Sequence, residues 1–264
     1  MLGTLSAPSR GALDDSAIEV VVSPDGQFAF VTLEYADRAV VFNLGEVLHT
    51  GFGAAGYVGS VPLGQAAVGM AVSPDGRWLY ATSEVGQSQR SSAVLPAAEQ
   101  PGTLTVIDLR RAKTDPASSV VATVDAGCQP VRVITSEDGS EIWVTARASD
   151  DLLCFSAARL VFDPARALVA IVRVGEAPVG LAAVHGGSLI VVADSNRFGA
   201  SGAIADLDVV NVAAALYGGQ AVVGHIPSGS FPREMALLGD SMLLVSNYAS
   251  GQLEAVDVAS IPSG

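Results

Sequence analysis

The phrase Val-Ser-Pro-Asp-Gly stands at residues 22–26 and again at 72–76, and Thr-Ser-Glu-Asp-Gly follows at 135–139. Fainter echoes, Val-His-Gly-Gly at 184–187 and Leu-Gly-Asp-Ser at 238–241, continue the series. A turn phrase returning about every fifty residues restricts the chain to a stacked or radial repeat architecture. Each phrase leads into a β-rich run: Phe28–Thr32, Trp78–Thr82, Ile142–Thr145, Leu189–Ala193 and Leu243–Ser246. Apolar runs on both sides of an Asp-Gly turn are a strong short-range signal for a β-hairpin.

Third strands read from 38–42, 104–108, 152–155, 205–209 and 253–257, and fourth strands from 57–61, 120–124, 169–174 and 222–226. Four short strands per unit make one propeller blade. The expected fold class is therefore all-β: a five-bladed β-propeller of four-stranded blades, with residues 1–264 as a single domain. The fifth unit has no fourth strand after 253–257. Leu2–Ser6 resembles the fourth-strand run Val223–Pro227, so an N-terminal strand closing the last blade is expected, which would hide two sheet edges.

The best-preserved segments, Val72–Thr82 with Leu104–Leu109, and Pro130–Thr145, resemble the YVTN-repeat, or lactonase-like, β-propeller family. The resemblance covers nearly the whole chain. It implies the blade architecture and carries no catalytic signature; five blades depart from the seven usual in that family.

Composition narrows the function classes. The net charge is −13 and Lys113 is the only lysine, so a phosphate backbone is repelled and nucleic acid is not an expected partner. No run of eighteen apolar residues suggests a membrane span. Cys128 and Cys154 fit no disulfide framework or metal-ligand spacing. With no basic region and apolar run at the N-terminus, a cytoplasmic protein is expected.

Aligning the residues that lead into each first strand sets Glu19, Gly69, Arg132, Gly180 and Glu234 in equivalent positions. The channel rim should then carry two carboxylates, one guanidinium and two gaps where glycine leaves space. One reading is an Arg–Glu bridge that closes the channel; the other is a catalytic set of Glu19, Arg132 and Glu234. A second group, just after the second strands, supplies a substrate-binding wall: Glu34, Tyr35, Glu84, Arg147, Asp194, Asn196, Asn247 and Tyr248, with Phe198 and Phe231 in the same loops. The long segment 83–102, with Val94 and Leu95 at its tip, is either a lid or a disordered loop.

His49, His185 and His225 all fall away from that face, which removes a Ser-His-Asp or Cys-His site there. A divalent cation held by Glu19, Glu234, Asn196 and Asn247, as in gluconolactonase-like propellers, would be repelled by Arg132 and Arg147. The expected site is therefore metal-free and cofactor-free. Its small-molecule chemistry would be acid–base: lactone hydrolysis, dehydration, isomerisation or cyclisation. The alternative is a non-enzymatic scaffold binding a peptide or protein on the same face.

Overall fold

The computed structural model describes residues 3–8, 15–86, 100–197 and 205–262. They form a five-bladed β-propeller of antiparallel sheets. Blade one comprises β1 (Ala17–Val22), β2 (Phe28–Leu33), β3 (Arg38–Asn43) and β4 (Tyr57–Pro62). Blade two comprises β5 (Gln65–Val72), β6 (Trp78–Val85), β7 (Pro101–Asp108) and β8 (Val120–Cys128). Blade three comprises β9 (Pro130–Thr135), β10 (Glu141–Ala146), β11 (Asp151–Ser156) and β12 (Leu168–Arg173). Blade four comprises β13 (Pro178–Val184), β14 (Leu189–Asp194), β15 (Asp206–Asn211) and β16 (Val222–Pro227). Blade five has β17 (Pro232–Leu238), β18 (Met242–Asn247) and β19 (Gln252–Asp257).

The repeated phrase builds the hairpin between first and second strands. In Ser73-Pro-Asp-Gly, the Ser73 hydroxyl donates to Asp75 at 2.5 Å and accepts from Trp78 N–H at 2.9 Å, while Asp75 accepts from Arg77 N–H. Gly76 takes a φ of +68°, a left-handed turn conformation that suits glycine. At the far end of each third strand a short polar residue caps a helix: Asn43 for α1 (Leu44–Thr50), Asp108 for α2 (Leu109–Ala112), Ser156 for α3 (Ala157–Phe162) and Asn211 for α4 (Val212–Tyr217). Each cap accepts from the backbone N–H three residues on, satisfying a donor the helix start leaves open. None of the described helices is long and apolar enough to cross a membrane.

Apolar faces hold neighbouring blades together. Phe30, Val41 and Val61 of blade one meet Met70, Leu79 and Ile107 of blade two. Tyr80, Leu104 and Val106 meet Val133, Val144 and Phe155; Trp143, Leu152 and Val172 meet Leu181, Ile190 and Val210; Val191, Leu207 and Val209 meet Leu243, Val245 and Val258. Hydroxyls stitch three of these seams. Thr32, Thr82 and Thr145 donate across them to the Val68, Val131 and Val179 carbonyls at 2.7–2.9 Å.

The seam between blades five and one is built differently from the expected closure. Leu5 bridges Gly53 in parallel, with Ser6 N–H to Gly53 O at 2.9 Å and Gly53 N–H to Thr4 O at 2.8 Å. Residues 3–8 thus cover part of blade one, where Leu5 and Ala7 lie on Val40 and Phe42, and none of these described residues pairs with 253–257. The physical reason is burial: Leu5 and Ala7 cover the apolar face that Leu33, Val40 and Phe42 present. Val20 and Val22 of the first strand are 61% and 50% exposed, whereas Met70 and Val133, the equivalents of Val20, are 3% and 4% exposed. No described blade face lies against them.

Candidate functional site at the channel mouth

Each first strand begins with a left-handed residue: Ser16, Ala66, Gln129, Ala177 and Phe231, with φ between +51° and +57°. A register shift follows at once in every blade, and the next N–H is taken up by a second-strand hydroxyl in four of them: Glu19 by Thr32, Gly69 by Thr82, Arg132 by Thr145 and Glu234 by Ser246. Such a bulge breaks the strict alternation of side chains and can turn successive residues toward the same space. Ile18, Val68, Val131 and Val179 form an apolar collar with Phe231.

Glu19, Arg132 and Glu234 do converge. The Arg132 guanidinium lies 3.8 Å from Glu19 and forms a two-point pair with Glu234, its Nη2 on Oε1 and its Nε 3.3 Å from Oε2. Arg132 is buried, and its two carboxylates outweigh the burial that would otherwise lower its pKa. Glu19 also accepts from Met70 N–H at 3.2 Å. Burial still holds the Glu19 carboxyl above its ordinary value, with Arg132 working against that rise.

Gly69 and Gly180 leave no opening. A Cβ on Gly69 would stand 2.3 Å from the Val131 carbonyl oxygen, and one on Gly180 2.4 Å from that of Arg233. The expected gaps are filled by the backbone of the next blade, so these glycines serve close packing between first strands.

Above this triad lies a cavity of 260 Å³ lined by the collar and by Glu34, Tyr35, Glu84, Arg132, Arg147, Arg197, Phe231, Arg233 and Tyr248. Arg147 donates to Glu84 at 3.0 Å and to Gln129 at 3.0 and 3.3 Å. Burial raises the Glu84 carboxyl above its ordinary value despite Arg147. The Arg147 guanidinium is pulled down by its burial, against Glu84 and with Arg197 adding to the fall. Arg197 stacks on Phe231, Arg233 on Tyr248, and the two rings meet edge-on at 5.3 Å.

Seven of the expected residues therefore line one cavity: Glu34, Tyr35, Glu84, Arg132, Arg147, Phe231 and Tyr248. Glu19 and Glu234 stand behind it as partners of Arg132. Asn247 is buried elsewhere, held by Ser228 and Glu254 at the end of blade five. Asn196 is fixed by its N–H to the Glu176 carbonyl. Asp194 is buried at the end of β14 and does not line this cavity. Phe198, together with residues 87–99 of the long segment and its tip at Val94 and Leu95, falls outside the described residues. Arg197 and Arg233 were missed by the sequence reading. Arg233 precedes Glu234, where ordinary alternation would turn it away, and only the bulge brings both to the same end.

No family model and no curated protein matches the chain. Among solved structures it is similar to a functionally unknown protein from Desulfotomaculum acetoxidans DSM 771, with a TM-score of 0.60 and 12% identity over 93% of this chain and 70% of that one. That likeness concerns the propeller fold.

Proposed function

We propose that the channel-mouth cavity binds a small carboxylate-bearing or lactone-type molecule and acts on it by acid–base catalysis, as a lactonase-like hydrolase. The observation that carries this reading is the lining: four arginines and two glutamates around an apolar floor. A guanidinium matches a carboxylate or developing oxyanion with two parallel donors. Glu84 is the acid–base group, because it lines the cavity and burial holds it toward the protonated form. Arg132 and Arg147 hold the reacting oxygen, Arg197 and Arg233 the remote carboxylate, and Tyr35, Phe231 and Tyr248 the apolar body. Glu19 and Glu234 position Arg132.

A panel of γ- and δ-lactones, followed by proton release, tests this directly. Glu84→Gln should lower turnover by about 10²–10⁴-fold while leaving the melting temperature nearly unchanged. Arg197→Ala with Arg233→Ala should weaken binding of the hydroxy-acid product. A wild-type protein that neither turns over a lactone nor binds a hydroxy acid at millimolar concentration would remove the reading. Tyr35 and Tyr248 are exposed at the rim, which favours, as a second reading, a docked peptide carrying an acidic side chain.

A further inference from the structure

Blade five ends on a third strand. Among the described residues no strand pairs with the outer side of β19, whereas a fourth strand takes that place in the other four blades. An unpaired edge presents a row of backbone donors and acceptors that can template another strand. The blade is uncovered on one face as well. Leu253, Met242 and Leu238 share that face and are 70%, 41% and 60% exposed.

The four complete ladders specify what a strand in this place looks like. Opposite the equivalents of Leu253 stand Val61, Val124, Val172 and Ile226, β-branched in every blade. Opposite the equivalents of Ala255 stand Gly59, Ala122, Ala170 and Gly224, small in every blade. At Gly59 a Cβ would stand 3.2 Å from Pro116 of the next blade. Each ladder then passes over one residue, Val58, Val121, Val169 or Val223, a bulge that adds twist. Beyond it an apolar residue, Tyr57, Val120, Leu168 or Val222, meets the equivalent of Val256. The recurring segment is therefore apolar–Val–Gly/Ala–x–Val/Ile, antiparallel to the third strand.

The position x faces the equivalent of Glu254. In blade four that equivalent is Asp208 and x is His225, whose Nδ1 lies 2.5 Å from the carboxylate. The two acids are held alike: Asp208 accepts from Gly175 N–H, and Glu254 from Gly229 N–H, with the Ser228 hydroxyl and Asn247 amide added. Burial would raise the Glu254 carboxyl, but Asn247, Ser228 and Gly229 together hold it below its ordinary value. An ionised acid at an open edge favours a cation opposite it. The chain's own nearest match to the segment, Gly3-Thr4-Leu5, is engaged elsewhere. Gly53 holds it on blade one, and a Cβ at Gly3 would meet the Phe52 ring.

We propose that the edge of β19 binds an extended segment of a partner protein by strand addition, the segment reading apolar–Val–Gly/Ala–Lys/Arg–Val/Ile and lying antiparallel to β19. Its last aliphatic residue covers Leu253, and its basic residue pairs with Glu254. Its first apolar residue joins Val256, which packs with Ile226 against blade four. Main-chain hydrogen bonds supply affinity in such a mode, and the alternate side chains supply selection. The net charge of −13 favours the encounter with a basic segment.

The test is a labelled synthetic peptide containing Leu-Val-Ala-Lys-Val, titrated into the full chain and followed by fluorescence anisotropy, with amide hydrogen exchange on the same samples. One saturable site per chain is expected, with slowed exchange over residues 253–257. Replacing the peptide's lysine by glutamate sets like charges opposite each other, and replacing its alanine by proline removes a ladder donor. Each change should weaken binding by at least about tenfold. Leu253→Ser should weaken it by about tenfold, whereas Leu48→Ser, at an equally exposed leucine of α1, should leave it unchanged. Melting temperatures check that both variants fold, and the exchange pattern of the wild type needs no variant. Absence of saturable binding, equal affinity for the lysine and glutamate peptides, or protection confined to the channel-mouth loops would each overturn the proposal. Binding that appears only after deletion of residues 1–8 would overturn it by giving the edge to the chain's own N-terminal segment. Self-association that Leu253→Ser abolishes would overturn it by giving the edge to a second copy.

Discussion

The aspartate of each Ser-x-Asp-Gly turn carries more than its exposed position suggests. Asp138 accepts from the Ser136 hydroxyl at 2.7 Å and from Ser140 N–H at 3.0 Å; Asp25 and Asp75 repeat the arrangement. The Ser136 and Ser73 hydroxyls hold Asp138 and Asp75 below the ordinary carboxylate value, and Lys113 does the same for Asp25. A lowered folded-state pKa stabilises the fold above the ordinary value of 3.8 and is lost as pH falls through the lowered one. Asp75→Ala should therefore cost about 1 kcal/mol at neutral pH, from lost hydrogen bonds, and the difference from wild type should shrink below pH 3.8. Denaturant melts across pH measure this; a deficit that persists undiminished in acid would assign the cost to something other than the ionised carboxylate. Glu84 and Glu19 run the opposite way. Their raised values favour the fold at low pH, and that contribution declines as pH rises from 4.5 through the raised folded values.

Elements were largely legible because their signals are local. The Asp-Gly turn, the alternating apolar runs and the fifty-residue period read directly as hairpins, and the strands fall where those runs stand. Trp143 sits in such a run, is buried between blades three and four, and donates its indole N–H to Glu141 at 3.2 Å. Trp143→Ala should cost about 3–5 kcal/mol in a denaturant melt; a cost below about 1 kcal/mol would contradict its burial. Thr82→Val removes the hydroxyl that ties Gly69 to the Val131 carbonyl, leaving buried backbone groups unpaired. Its expected cost is about 1–3 kcal/mol. What composition and spacing hid was non-local. Whether a glycine makes a gap or admits a neighbour's backbone depends on the adjacent blade, as at Gly69 and Gly180. Arg233 reaches the cavity end through a bulge that no local pattern announces, and Asp194 reads as a rim residue although its sheet face is interior.

At the scale of the whole molecule, four seams are apolar and closed while the one between blades five and one is not. Leu253 is 70% exposed, yet its equivalents Leu104, Leu152 and Leu207 on the other blades are fully buried. Leu238 and Met242 on blade five, and Val20 and Val22 on blade one, are exposed as well. Ser246 tells the same story in hydrogen bonds. Its hydroxyl occupies the place from which Thr32, Thr82 and Thr145 reach the next blade, but it turns back to Glu234 of its own blade. Two matching faces thus stand unpacked, and a contiguous exposed apolar face of this kind binds hydrophobic dyes. Paired substitutions separate an open seam from a closed one. Leu152→Ala should destabilise by about 2–5 kcal/mol, because it leaves a cavity in a packed seam. Leu253→Ala should stay within about 0.5 kcal/mol of wild type, as surface changes do. The native protein should also bind an apolar fluorescent dye, and Leu238→Ser with Leu253→Ser should reduce that binding at unchanged melting temperature. Equal costs at Leu152 and Leu253 would mean that blades five and one pack against each other in solution. The dye signal would then have to come from another surface.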